Sequence, residues 1–177
     1  MHLIHRQTCR VCGSHALSPV ISLGPQYLQG SFHKPGKETP PMRMIECTLV
    51  RCDPTRDEKA CGLLQMLHSV PPEILYSSYW YRSGTNRTMT DHLRGIAKEC
   101  STMVAKPKAI VLDIGCNDCT LLKGYPDSYQ RFGVDPSDVA VSAPSGVTIV
   151  HDLFPSEELR QQIGEHRVDI ITSIAMF

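Results

Sequence analysis

The chain has 177 residues, of which 41% are hydrophobic, and its 18 basic and 18 acidic side chains give a formal net charge of +0. This length suits one medium domain or two small ones. The balanced charge excludes a broad electrostatic surface for nucleic acid or for an anionic membrane. Because no apolar run approaches the roughly 20 residues of a membrane span and the N-terminus lacks a secretory signal, we expect a cytoplasmic protein.

Residues 1–70 are predicted to form a small zinc-binding domain. They are rich in cysteine, histidine, glycine and proline, and they contain short β-like segments at 20–23 and 44–52. Neither segment can bury much apolar surface by itself. Disulfides are rare in a reducing compartment, so closely spaced cysteines favour a metal that stabilises such a domain.

The sequence TCRVCGS places Cys9 and Cys12 in a CxxC turn that can direct two thiolates at one cation. Structural Zn²⁺ sites have four ligands, so a second pair is required. We predict Cys52 and Cys61, because each pair ends in a Cys-Gly dipeptide and the pairs lie about 40 residues apart, as in a zinc ribbon. The residues between Cys52 and Cys61 must then form a loop.

Other ligands compete for this site. Cys47 is the nearest competitor of Cys52, and His15 or His5 could also bind the metal. The alternative to any metal is a set of free, partly buried thiols.

The segment 71–106 is predicted to link two domains and to contain a helix at 86–104. Asn86 or Thr88 is the candidate N-cap, and Pro107 follows the helix. Apolar residues recur at nearly helical spacing at Met89, Leu93, Ile96 and Met103.

From residue 109, short apolar segments alternate with helical segments, which predicts βαβ units in a parallel sheet. The predicted strands cover 109–115, 129–135, 147–152 and 168–177, and the predicted helices cover 120–125 and 156–166. Such sheets usually have about six strands. Because the fourth strand reaches Phe177, we expect the chain to be a truncated part of a longer protein.

The stretch VLDIGCNDCTLL places Asp113 and Gly115 at the end of the first strand, the layout of a nucleotide-type cofactor loop. It lacks the GxGxxG triplet and the Walker lysine, so a cationic or zwitterionic ligand is favoured over a pyrophosphate. Asp135 and Asp152 end the next two strands, and these acids should meet at one sheet edge. Asp135 could accept two hydrogen bonds from ribose hydroxyls.

DIGCNDCTLL, FGVDPS and HDLF resemble the motifs of class I S-adenosylmethionine-dependent methyltransferases. The cysteine turns, with SLGPQYL, CGLLQMLH and YWYRSGTNRTMTDHL, narrow the resemblance to C-methyltransferases with an N-terminal zinc-binding domain, which methylate a keto sugar attached to a nucleotide. The resemblance implies a Rossmann-like cofactor domain and a small-molecule substrate. By that resemblance, the cofactor's methionine part is held by Asp113, Gly115, Cys116, Asn117 and Asp118, its ribose by Asp135, and its adenine by Asp152 and Leu153.

The aromatic stretch around Trp80 has two interpretations. It could be a hinge that packs the small domain onto the large one. The resemblance instead places the hydroxyls of Tyr79 and Tyr81 in the substrate pocket as catalytic groups, with Ser83 or Asn86 near the cofactor. Methylation next to a ketone also needs a base. In the family that base lies beyond the fourth strand, so we expect this chain alone to be inactive.

Cys119 departs from the family pattern, in which the loop usually reads DIGCNDGTLL. If that position needs φ > 0, a cysteine costs on the order of 1 kcal/mol and weakens cofactor binding. Cys116 and Cys119 also form a CxxC, which is typical of thioredoxin-like redox sites. The acids at the strand ends have no part in redox chemistry, so a structural loop is preferred.

The sequence therefore predicts an α/β protein in three parts. A zinc-ribbon-like domain covers 1–70, an aromatic linker and helix cover 71–106, and the first half of a Rossmann-like domain covers 107–177. The alternative function is a noncatalytic zinc-binding interaction module fused to a degenerate methyltransferase fold. The sequence does not indicate an oligomeric state.

Overall fold

The computed structural model describes residues 3–28, 44–76, 79–141 and 144–176. The chain divides into two compact units, residues 1–75 and 76–177. The boundary falls inside the predicted linker. Within the described ranges, none of the helices combines the length and apolar content that a membrane span requires.

The first unit contains two antiparallel sheets. Its strands are β1 (Ile4–His5), β2 (Leu17–Tyr27), β3 (Met44–Cys52), β4 (Leu64–Met66) and β5 (His68–Ser69). One sheet has the order β2-β3-β4, and β1 pairs with β5. Both β-like segments are therefore strands, and β2 extends well beyond 20–23. Pro19 and Pro25 are tolerated in β2 because it lies at the edge of its sheet, where the register also shifts.

The second unit contains a four-stranded parallel sheet, as predicted. Its strands are β6 (Ile110–Ile114), β7 (Gln130–Val134), β8 (Val147–Val150) and β9 (Ile170–Thr172), in the order β8-β7-β6-β9. The fourth strand is shorter than predicted. Ala175 has φ 58°, in the left-handed region, which is incompatible with a strand. Phe177 lies outside the described residues.

Three α-helices are described: α1 (Pro72–Tyr76), α2 (Arg87–Val104) and α3 (Glu157–Ile163). The Asn86 side chain caps α2 by accepting a hydrogen bond from the Met89 N–H at 3.2 Å, as predicted. Met103 does not share the buried face, because 73% of it is exposed. The buried stripe continues instead through Ala97, Cys100 and Val104.

The helix predicted at 120–125 is only a 3₁₀ turn, Leu122–Gly124. Tyr125 stands before Pro126 and has extended backbone angles, φ −80° and ψ 154°. A residue before proline disfavours the α region, so the turn cannot propagate. The prediction of a helix here was wrong.

Apolar side chains cover both faces of the parallel sheet. One cluster joins α2 and the 3₁₀ turn to the sheet, with Leu93, Val111 and Leu122 at its centre. The other cluster packs α3 on the opposite face, through Leu112 and Leu159. Burial of both faces explains why these strands are continuous apolar runs.

Candidate functional site

Four cysteines converge in the first unit: Cys9, Cys12, Cys52 and Cys61. Their sulfur atoms all lie within 4.8 Å of one another. The Cys9 and Cys61 sulfurs are 3.6 Å apart, and those of Cys12 and Cys52 are 3.5 Å apart. Tetrahedral Zn²⁺ with bonds of about 2.3 Å places its sulfurs about 3.8 Å apart. The spacing therefore fits a single zinc ion.

The backbone around the cluster is shaped for thiolate ligands. Gly13 and Gly62, which follow the last cysteine of each pair, have φ 75° and 81° and so occupy the left-handed region. Backbone N–H groups, first that of Cys12, lower the pKa of Cys9 to about 6. Burial raises the pKa of Cys52 to about 11. A bound cation would favour the thiolate form of all four ligands.

The competing ligands do not join this cluster. Among the residues that the structure describes, Cys47, His5 and His15 are not part of the metal-competent group. The segment between Cys52 and Cys61 forms a loop, as predicted. Asp53 stabilises it by accepting hydrogen bonds from the Ser18 hydroxyl and from Thr55.

A cavity of about 310 Å³ lies in the second unit beside the carboxyl ends of β6 and β7. Several predicted site residues line it together: Tyr79, Tyr81, Asp113, Gly115, Cys116, Asn117 and Asp135. Asp118, Asp152 and Leu153 are not among its lining residues. The predicted cofactor loop and the predicted tyrosines therefore share one cavity.

Asp113 is the most deeply buried carboxylate of the cavity, with 3% of its surface exposed. The Thr172 hydroxyl of β9 donates a hydrogen bond to it at 2.7 Å. Burial, opposed by this hydrogen bond and assisted by the charge of Asp135, raises the pKa of Asp113 to about 7.

Asn117 connects the loop to its surroundings. Its φ of 49° is left-handed, which asparagine tolerates better than most residues. Its side-chain amide donates to the Tyr81 carbonyl at 2.9 Å and accepts from the Ser83 N–H at 3.0 Å. Its backbone N–H donates to Asp135 at 2.8 Å. The loop, the aromatic segment and the end of β7 are thus held together by one residue.

Asp118 braces the loop outside the cavity. One of its oxygens accepts from the Gly84 N–H at 2.8 Å, and the other accepts from the Thr120 hydroxyl at 2.6 Å. An added Cβ at Gly84 would lie 2.9 Å from the Asp118 carboxylate, so this approach depends on glycine. The predicted contact of Asp118 with the cofactor stays a prediction.

Asp135 follows β7, and each of its oxygens accepts one backbone hydrogen bond. The donors are the N–H groups of Asn117 and Ser137, both at 2.8 Å. A carboxylate has about four acceptor positions, so two remain for ligand hydroxyls. Asp152 and Leu153 follow β8 at the same sheet edge, where the Leu153 N–H donates to Asp152 at 2.8 Å. Their predicted contact with adenine stays a prediction.

Ser137 was missed by the sequence analysis. The residue lines the cavity, and its buried hydroxyl has no hydrogen-bond partner among the described residues. The residue itself is 3% exposed. A serine two positions after an aspartate at a strand end is typical of a side-chain-stabilised turn, and that signal could have identified it.

Cys119 has φ 60° and is fully buried, so the position does require the left-handed conformation that the family glycine would adopt. The Cys119 thiol and the burial of Cys116 together raise the pKa of Cys116 far above the ordinary value. A buried thiol with a raised pKa is a poor nucleophile, which does not favour redox chemistry.

Comparisons with known proteins find two similarities. Residues 9–76 match a methyltransferase-family model described as "Putative zinc binding domain". The chain is also 24% identical over 153 residues to "C-methyltransferase NovU" of Streptomyces niveus. Both matches confirm the resemblance to a methyltransferase with an N-terminal zinc-binding domain. The alignment covers 84% of this chain, but the chain spans only 35% of the relative.

The lining of the cavity fits S-adenosylmethionine. Asp113 and Asp135 contribute two carboxylates, and the described lining residues include no lysine, arginine or histidine. Gly115 has φ 74°, and the absence of a Cβ at this position lets a ligand approach the backbone closely. A partly cationic ligand with hydroxyl groups matches this set of donors and acceptors.

Proposed function

We propose that the second unit binds S-adenosylmethionine and that the complete protein transfers a methyl group to a carbon of a nucleotide-linked keto sugar. The observation that carries the proposal is the convergence of Asp113, the Gly115 loop and Asp135 on one cavity, whose described lining residues include no lysine, arginine or histidine. The similarity to a protein named C-methyltransferase supports carbon as the methyl acceptor.

Each part of the cavity has an assigned role in this proposal. Asp113 and the loop from Gly115 to Asn117 hold the methionine part of the cofactor, and Asp135 holds the ribose. Asp152 and Leu153 flank the adenine. When bound, the cofactor supplies an electrophilic methyl group on a sulfonium. The chain's own residues orient that group and exclude water from it.

The tyrosines are proposed to act on the acceptor. Tyr79 and Tyr81 line the cavity, and their backbones are fixed by Asp138, which accepts from the Tyr79 N–H at 3.3 Å, and by Asn117. A phenol can donate a hydrogen bond to the oxygen of an enolate and so stabilise it.

A titration with the cofactor tests this proposal. Isothermal titration calorimetry should show micromolar binding of S-adenosylmethionine to the chain. Asp135→Asn should weaken it at least tenfold, because hydrogen bonds to a charged acceptor contribute about 1.5–3 kcal/mol. Glu165→Gln, at an exposed position, is the matched control and should bind normally.

The alternative is a noncatalytic zinc-binding interaction module fused to a degenerate methyltransferase fold. The left-handed conformation of Cys119 favours it, because a strained residue lies inside the cofactor loop. The same titration separates the two functions. No heat at millimolar S-adenosylmethionine would support the interaction module and reject the methyltransferase.

For the first unit, we propose that Cys9, Cys12, Cys52 and Cys61 hold one structural zinc ion. Four protein ligands close the coordination sphere, which is typical of structural rather than catalytic zinc. Elemental analysis should find one zinc per chain. Cys52→Ser should lower the content below half an equivalent, whereas the half-buried Cys47→Ser control should retain it. Full zinc retention in Cys52→Ser would reject this ligand set.

A further inference from the structure

The cavity of the second unit contains two buried carboxylates and no compensating cation. Asp113 is 3% exposed and Asp135 is 7% exposed. No lysine, arginine or histidine is found among the described residues that line the cavity. Two like charges in one poorly solvated space repel each other, so their joint ionisation is unfavourable without a positively charged ligand.

The two carboxylates are not equally stabilised as anions. Asp135 accepts hydrogen bonds from two backbone N–H groups, both at 2.8 Å. Among the described residues, Asp113 accepts one side-chain hydrogen bond, from Thr172. Asp113 is therefore the carboxylate that gains a proton more easily.

The other titratable groups around Asp113 do not supply a positive charge. They come from each element that packs against it: Asp135 after β7, Cys116 in the loop, Tyr125 after the 3₁₀ turn, Cys100 of α2 beside Tyr125, and the cavity residues Tyr79 and Tyr81. At neutral pH these groups are neutral or negative. Because none of the described residues around Asp113 supplies a positive charge, a cationic ligand is what would balance its ionised form.

We propose that Asp113 is a proton-linked charge sensor, whose ionised form is favoured when a positively charged ligand occupies the cavity and whose protonated fraction is larger when the ligand is neutral or absent. The inference rests on the proposed function and concerns the same site. It makes Asp113 the residue that distinguishes the sulfonium cofactor, with net charge of about +1, from its neutral demethylated product.

The proton balance follows from this role. At neutral pH Asp113 is divided between its two forms, because its pKa lies at about 7. A cationic ligand displaces the proton to solvent. Methyl transfer converts the sulfonium to a neutral thioether, so the ligand becomes a zwitterion with no net charge, and Asp113 takes a proton back from solvent. The product then lacks the attraction that held the cofactor, which favours exchange of product for a new cofactor.

Calorimetry of the full chain in buffers with different ionisation enthalpies measures the proton directly. At pH 7 Asp113 should release about half a proton when S-adenosylmethionine binds and much less when the demethylated product binds. The cofactor affinity should rise about tenfold from pH 6 to pH 8, because the ionised fraction rises from about a tenth to about nine tenths. The product affinity should change much less.

Variants separate Asp113 from the cofactor's own amine, which also titrates near this range. Asp113→Asn should abolish the proton release that comes from Asp113, and it should reduce the ratio of cofactor affinity to product affinity. Glu165→Gln should match the wild type in both quantities. Thr172→Val removes the hydrogen bond to the Asp113 carboxylate. It should raise the Asp113 pKa and increase the proton release, and it provides a second test if Asp113→Asn does not fold.

The outcomes are distinguishable. Cofactor binding with the same proton release in the wild type, Asp113→Asn and Thr172→Val would overturn the charge sensor and leave the proposed function standing. Failure of both ligands to bind at millimolar concentration would overturn the sensor together with the proposed function. A proton release that falls in Asp113→Asn and grows in Thr172→Val supports the sensor.

Discussion

The two units differ in the size and the composition of their buried clusters. The central cluster described in the first unit consists of Cys9, Cys52 and Ala60. The second unit buries two larger apolar clusters on opposite faces of its sheet. Two of the three central residues in the first unit are themselves predicted metal ligands. The comparison indicates that the first unit depends on its metal, whereas the second depends on apolar burial.

Removal of the metal should break the first unit alone. Structural zinc contributes roughly 10–16 kcal/mol of apparent binding free energy, which becomes folding free energy when no site exists in the unfolded chain. After chelation, amide NMR signals from 3–28 and 44–75 should lose their dispersion. Signals from 79–141 and 144–176 should keep it.

Zinc added back in excess of the chelator serves as the control and should restore the first set of signals. Dispersed amide signals throughout the first unit of a fully zinc-free sample would show that this unit does not depend on zinc.

Leu122→Ala should weaken the second unit without affecting the first. Leu122 is fully buried beside α2, so its truncation should cost about 2–5 kcal/mol of unfolding free energy. Urea denaturation followed by the fluorescence of Trp80, the single tryptophan, reports this unit. Zinc content should stay at one equivalent.

The exposed Met103→Ala is the matched control on the same unit and should change the unfolding free energy by less than about 0.5 kcal/mol. Equal effects of the two substitutions would contradict the assigned core.

Asp113 should make the second unit less stable as the pH rises, in the absence of cofactor. Its pKa is about 7 in the folded chain and about 3.9 in the unfolded chain, so the folded state binds more protons between these values. The unfolding free energy should therefore fall between about pH 4 and pH 7 and then level off. The unfolding free energy should differ by up to about 4 kcal/mol between the two ends of this pH range.

Trp80 fluorescence in urea at pH 5 and at pH 7.5 should show about 2.5 kcal/mol of this difference in unfolding free energy. Asp113→Asn should remove most of it. An identical pH dependence in the variant would show that other groups cause the effect.

Substitutions of Cys119 measure the cost of its left-handed backbone conformation, which is the smallest of the expected effects. Cys119→Ala and Cys119→Gly both remove the thiol, but only glycine removes the Cβ that makes φ 60° unfavourable. The glycine variant should be more stable than the alanine variant by about 1 kcal/mol in urea denaturation. An alanine variant at least as stable as the glycine variant would mean that the loop does not strain this residue.

Much of the architecture could be predicted because local signals agree with the fold. Short apolar segments that alternate with helical segments predicted the parallel sheet, and one of the two candidate caps, Asn86, is the N-cap of α2. The CxxC turn and the repeated Cys-Gly dipeptide predicted the four cysteines, and these converge in the first unit. These features depend on spacing along the chain, which a sequence displays directly.

The remaining features depend on contacts between distant residues. The side-chain amide of Asn117 joins the loop to the aromatic segment, and the Ser137 hydroxyl is left without a partner beside Asp135. Neither contact has a periodic pattern. The predicted helix at 120–125 was wrong because the effect of Pro126 on Tyr125 outweighed a short apolar pattern.

The proposed binding of an adenosyl sulfonium by the loop at the carboxyl end of β6 and by the acid after β7 can be tested in one experiment. In an amide NMR titration of the full chain with S-adenosylmethionine, we expect saturable shifts at micromolar ligand for Gly115, Asn117 and Ser137, while the amides near the four cysteines stay in place. Unmoved signals for all three residues at millimolar ligand would reject binding at this cavity.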